Sequence, residues 1–136
     1  RQAAILARKE RLVKLLGEEL DKASNIEYRL ETIMTRAAMT QAALDDFVTE
    51  IGTWRTRVGN ELEKMLPGTY AARVFLSARG AFPGAYVFAG TGTSVGVAMT
   101  PGFYQYTHVR ECRQALTAIL AAVDSFARLS AEVKRP

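Results

Sequence analysis

The sequence predicts a mainly α protein: a helical bundle of four to five helices, with a small β-hairpin or ordered Gly-rich loop inserted before the last helix. Two observations carry this. Apolar residues recur at helical spacing through most of the chain, each stripe backed by a charged side. The exception is 80–107, which holds six of the ten glycines and no Asp, Glu, Lys or Arg, between heavily charged flanks. At 136 residues and 49% hydrophobic content the chain is sized for one domain, 1–136, whose core needs neither disulfide nor metal.

The first helix is expected over 3–22, where Ile5, Leu12, Val13, Leu16, Leu20 and Ala23 share a side. Asp21 to Asn25 then offers loop and N-cap chemistry, with Ser24 or Asn25 able to accept from the first free amides of a second, shorter helix. That helix turns Ile26, Leu30, Ile33 and Met34 inward and breaks near Thr40, a plausible cap for the third helix. This third helix is the longest, running from Gln41 to Leu66 with a stripe of Leu44, Phe47, Val48, Ile51, Val58, Leu62, Met65 and Leu66. Asp45 and Asp46 are expected in its first turn, where the helix dipole favours negative charge, and Pro67-Gly68 ends it.

A further short helix is expected over 69–78, with Tyr70, Val74 and Phe75 as its apolar residues. The last helix spans 106–133, aligning Val109, Cys112, Leu116, Ile119, Leu120, Val123 and Ala127. Helices with one apolar face each must bury those faces on one another, which gives a bundle. Within the uncharged insertion, 80–105, the runs AYVFA (85–89) and VGVAM (95–99) flank Gly90-Thr91-Gly92-Thr93-Ser94, a spacing that suits a hairpin laid against the helices; an ordered irregular loop is the alternative.

The bulk properties narrow the function classes. The single Cys112 cannot make an internal disulfide and points to a reducing, cytoplasmic setting. No apolar run approaches the roughly 20 residues that span a bilayer, and Arg1 to Lys14 lacks the apolar h-region of a signal peptide, so no membrane role is expected. The chain begins with Arg1 rather than Met, as a processed product or a domain of a longer polypeptide does. The net charge of +4 is concentrated in Arg1, Arg8, Lys9, Arg11 and Lys14 against Glu10. That basic end carries no aromatic group to stack on bases, which argues against nucleic-acid binding and for a solvated helix face.

Four groups of residues could carry chemistry. The cluster Gly90, Thr91, Gly92, Thr93 and Ser94 with Gly96 could cradle a phosphate through backbone amides and hydroxyls, although no Lys follows as in a phosphate loop, and a simple turn explains it as well. Arg55 projects at the centre of the stripe of the longest helix, beside Gly52 and Gly59, and needs a carboxylate, helix carbonyls or an anion as partner. His108 and Cys112 stand four apart on one helix face, but two ligands are too few for zinc and no third group orients them for nucleophilic catalysis. The aromatics Phe82, Tyr86, Phe88, Phe103, Tyr104 and Tyr106 either seal the end of the bundle or meet a partner.

Trp54, the run LPGTYAARVF at 66–75 and the closing amphipathic helix together resemble helical accessory domains of bacterial proteins, some associated with anti-phage defence. The likeness covers the middle third of the chain, implies an interaction role and assigns no functional residue. The expectation is a non-enzymatic protein-interaction or oligomerisation module without cofactor, meeting a protein partner or a second copy through Phe82, Tyr86, Phe88, Phe103 and Tyr104. The competing expectation is a sensor holding an anionic ligand such as a nucleotide on the Gly90 to Gly96 loop and Arg55.

Overall fold

The computed structural model describes residues 2–80 and 100–133, with side chains as far as Arg128. The chain is mainly α. The described residues form α1 (Gln2–Thr35), α2 (Gln41–Met65), α3 (Ala71–Leu76), α4 (Phe103–Ala121) and α5 (Val123–Val133), and none of them is in a strand. This corrects the expected fold, which combined a bundle with a hairpin: five helices and no strand are what the described residues contain, and 85–99 lies outside them.

The helices are also divided differently from the expectation. Leu12, Leu16, Glu19, Ala23, Ile26 and Leu30 are all buried on one side of α1, spaced four, three, four, three and four residues apart. That unbroken register keeps 21–25 helical, because a loop there would rotate Ile26 and Leu30 off the core. Asn25, expected as a cap, instead accepts from Arg29 Nε at 2.8 Å.

Helix α1 ends where no glycine signals it. Ala37 adopts φ 51°, Ala38 N donates to Ile33 O at 3.0 Å, and Ala37 N donates to Met34 O at 3.1 Å. This is the paired closure that usually places glycine at the left-handed residue. Thr40 then caps α2, its hydroxyl accepting from Ala43 N at 3.0 Å. Asp45 and Asp46 fall in the second turn, and Asp45 accepts from the Gln41 side chain at 2.8 Å.

Side-chain bridges give the directions. Arg29 of α1 pairs with Glu50 of α2, and Glu19 with Arg57, so the numbering falls along one helix as it rises along the other. Glu27 with Arg113 and Lys9 with Asp124 do the same for α4 and α5. Helix α2 and the α4–α5 arm therefore both run antiparallel to α1. Helix α3 leans on α2 and α4, with the Phe75 ring edge-on to Trp54 at 5.5 Å. Val58, Leu62, Leu66, Val109, Leu116 and Ile119 fill the centre.

The last helix begins earlier than expected and breaks at Ala122, which has φ −106° and whose amide donates to both Ala118 O and Ile119 O at 3.2 Å. Beyond the break Val123 and Ala127 are buried, and Asp124, in the first turn of α5, reaches Lys9 at 2.7 Å. Before α4, Gly102 holds φ 95°. A Cβ there would come within 2.7 Å of Met39 Cε.

The two left-handed residues predict opposite outcomes in urea unfolding. Ala37→Gly stabilises the fold by about 0.5–1 kcal/mol, because alanine carries a Cβ penalty in the left-handed region. Gly102→Ala destabilises by about 1–3 kcal/mol, since it adds that penalty and a contact with Met39.

Candidate functional site

Two polar centres lie within the bundle. The first is built on Glu19, which α1 places in its core stripe at 1% exposure. A carboxylate there is tolerable only if fully bonded. Trp54 Nε1 donates to Oε2 at 2.7 Å, Arg57 donates to both oxygens at 3.0 Å each, and Lys22 donates to Oε1 at 3.2 Å. Burial pushes the Glu19 carboxyl upward, but the bonds from Arg57, Lys22 and Trp54, with the charge of Arg57, outweigh it and hold the group below the ordinary carboxylate range. Beside these bridges a cleft of about 270 Å³ between α1 and α2 is lined by Lys22, Ile26, Arg29, Glu50 and Trp54 among others.

The second centre lies at the end of α3. Arg55 donates to the Leu76 carbonyl, and Arg79 donates to the same oxygen at 3.0 Å. Arg55 does not occupy the middle of the α2 stripe. Trp54 does, and with Phe47, Ile51, Val58 and Leu62 it sets a stripe that leaves Arg55 half-buried at the flank and Val48 exposed. Gly59 permits the approach, because a Cβ on it would come within 2.9 Å of Leu76 Cδ2.

His108 and Cys112 come to the same centre from α4. Burial and the charges of Arg55 and Arg79 hold the His108 imidazole below its ordinary range, against a backbone hydrogen bond with Ala78. Cys112 is fully buried, and burial pushes its thiol up to about 11, with Glu111 adding to the rise and Arg55 and Arg79 opposing it. A neutral imidazole beside a thiol of that kind lacks the thiolate that nucleophilic chemistry needs. Among the described residues no group of three or more His, Cys, Asp or Glu could hold a metal ion.

Of the residues singled out in the sequence, Arg55, Phe103, Tyr104, Tyr106, His108 and Cys112 are described. Phe103 is buried, and the Tyr104 ring stands 5.9 Å from that of His108, tilted by 44°. Gly90, Thr91, Gly92, Thr93, Ser94, Phe82, Tyr86 and Phe88 lie outside the described residues. Sequence reasoning passed over Glu19, Arg57 and Arg79. Only Glu19 left a signal, an acid at a core position of the α1 register. No described helix is long and apolar enough to cross a membrane. No family model matches the chain, and comparison with curated proteins and with solved structures gives no match.

Glu19→Ala is expected to cost about 3 kcal/mol in urea unfolding at pH 7, the low end for breaking a buried pair because Arg57 can rehydrate; Glu19→Gln, which keeps an acceptor for Trp54, costs less. Because the folded pKa lies below the unfolded one, the stabilisation is complete above an unfolded carboxylate pKa of about 4.3 and is lost as pH falls through the folded value. The variant's deficit should therefore shrink in acid, and a constant deficit from pH 7 to pH 2 contradicts this account. Cys112 should resist iodoacetamide at pH 8 until denaturant is added, and rapid labelling of the native chain would show its thiol to be accessible.

Proposed function

We propose that this chain is a non-enzymatic protein-interaction module whose contact surface centres on α3. The observation that carries this is the outer face of α3. Tyr70 is 66% and Val74 38% exposed, while Ala71, Ala72 and Phe75 beneath them are buried. The small helix is thus anchored from below and apolar above. Arg73 stands over the Tyr70 ring at 5.6 Å, and a tyrosine paired with an arginine is a side-chain combination enriched at protein contacts.

The polar groups elsewhere support a binding role over a catalytic one, since the Glu19 carboxylate is saturated with donors and the Cys112 thiol is sealed in the core. The sequence resemblance to helical accessory domains points the same way. In this reading the rigid bundle presents α3 to a second copy or to a different protein, as a domain within a larger assembly does.

The pair Tyr70→Ser/Val74→Ser removes the apolar surface without touching the core. Sedimentation velocity at rising concentration should show self-association that this pair abolishes, or a photo-reactive residue replacing Tyr70 should capture a protein in cells. A chain that stays monomeric and yields no adduct at position 70 overturns the proposal.

A further inference from the structure

The end of α3 gathers positive charge without an acid to match it among the described residues. Arg55 comes from α2, Arg79 from the segment after α3, and His108 from α4. Both guanidinium groups donate to the single Leu76 carbonyl oxygen, which places them side by side. Arg79 makes one further bond, to Ala78 O at 3.3 Å. Neither arginine forms an ion pair among the described residues, whereas Glu19, Glu27 and Glu50 are taken by Arg57, Arg113 and Arg29.

Two nitrogens in this cluster are buried without a hydrogen-bond partner among the described residues, Arg55 Nε and His108 Nε2. A buried donor left unmade costs about 1–3 kcal/mol, and more when it is charged. Arg55 Nε is such a donor, and His108 Nε2 becomes one when the imidazole is protonated, so the cluster with its two like charges is then short of an acceptor. What is missing must be negative and must offer several oxygens, since a guanidinium presents its N–H groups as a planar fork matched to carboxylate and phosphate.

We propose that Arg55, Arg79 and His108 form a binding site for a phosphate group, either free phosphate or the phosphomonoester of a small metabolite. Two fixed charges and one titratable one match a dianion better than a monoanion. The site lies at the end of α3, on the Leu76 carbonyl, and its argument does not rest on the contact surface at Tyr70 and Val74.

The charged and titratable groups around His108 define how the site should respond. Arg55 and Arg79 disfavour its protonation, and burial acts in the same direction. On α4 itself Cys112 lies one turn away with an un-ionised thiol, Glu111 acts on that thiol, and Tyr104 places its ring beside the imidazole. A bound dianion reverses the field of the two arginines, so anion and proton bind cooperatively and each raises the affinity for the other by the same factor.

His108 is the only histidine in the chain, so its ring resonances can be titrated by NMR without overlap. The titration is run with inorganic phosphate or AMP, against sodium chloride at the same ionic strength. The expected result is a rise of about one unit in the His108 pKa at saturating anion, equivalent to roughly tenfold tighter binding to the protonated form. Arg55→Gln and Arg79→Gln should each abolish the rise, and the exposed Arg79 keeps the test usable if the first variant does not fold. A larger rise with AMP at equal concentration assigns the site to a phosphomonoester, and an equal or larger one with inorganic phosphate assigns it to the free ion. A His108 pKa that moves no further than in sodium chloride, or that moves equally in a folded arginine variant, overturns the proposal.

Discussion

The architecture depends on one carboxylate. Glu19 lies in the core stripe of α1, where a leucine would otherwise continue the row from Leu12 and Leu16. Its burial forces α2 to supply donors at fixed places, Trp54 Nε1 on one oxygen and the Arg57 fork across both. That requirement sets the height and rotation of α2 against α1. It also turns the Trp54 ring so that its far side meets Phe75, which seats α3. Through Phe75 and the neighbouring Leu76 the position of α3 reaches Arg55 and the α4 side of the bundle. One polar contact between two helices thus propagates into the placement of a third.

Such a network is not the cheapest way to fill the space. Apolar residues of similar volume in place of a buried ion pair are often neutral or more stabilising. What the bonded acid adds is discrimination, because a helix slipped by one turn would leave Glu19 buried without Trp54 and Arg57. The pairs Glu27 with Arg113 and Glu50 with Arg29 repeat that test at other heights, one toward α4 and one toward α2. Arg29 also lies over the Phe47 ring at 5.5 Å, so the same side chain serves charge and packing. These half-buried pairs are worth little individually at a surface, but together they exclude alternative registers of three helices with similar apolar stripes.

Much of this was legible in the sequence, and the rest has identifiable causes. The start of α2 at Gln41 and its stop before Pro67 followed from a capping threonine and a Pro-Gly pair, which act locally. The break expected at 21–25 rested on the loop chemistry of Asp21, Ser24 and Asn25, and the tertiary register of Ala23, Ile26 and Leu30 overrode it. The end of α1 was hidden because Ala37 takes a conformation in which glycine is the usual signal. The break at Ala122 carries no glycine or proline either, and only the burial of Val123 and Ala127 accounts for where α5 goes. On α2 the stripe was drawn through Val48 and Arg55 instead of Trp54, an offset of one residue that exchanged a core position for a flank. Arg55 meets the Leu76 carbonyl from the flank of that stripe, while Arg79 and the link to His108 depend on contacts between separate elements and left no local trace.

The cationic cluster at the end of α3 is explained only in part by helix capping. The last carbonyls of a helix lack intrahelical partners and carry the negative end of its dipole, so an arginine is a suitable cap. Capping accounts for one guanidinium on Leu76 O. It does not account for two, because one carbonyl oxygen cannot satisfy the five donors that each guanidinium carries. Nor does it account for His108, whose buried Nε2 finds no partner among the described residues and lies in the field of both arginines. Among the described residues Arg29, Arg57 and Arg113 are each paired with an acid, whereas Arg55 and Arg79 meet only backbone carbonyls. The cationic surplus is local, it is assembled from three separate elements, and it leaves donor capacity unfilled.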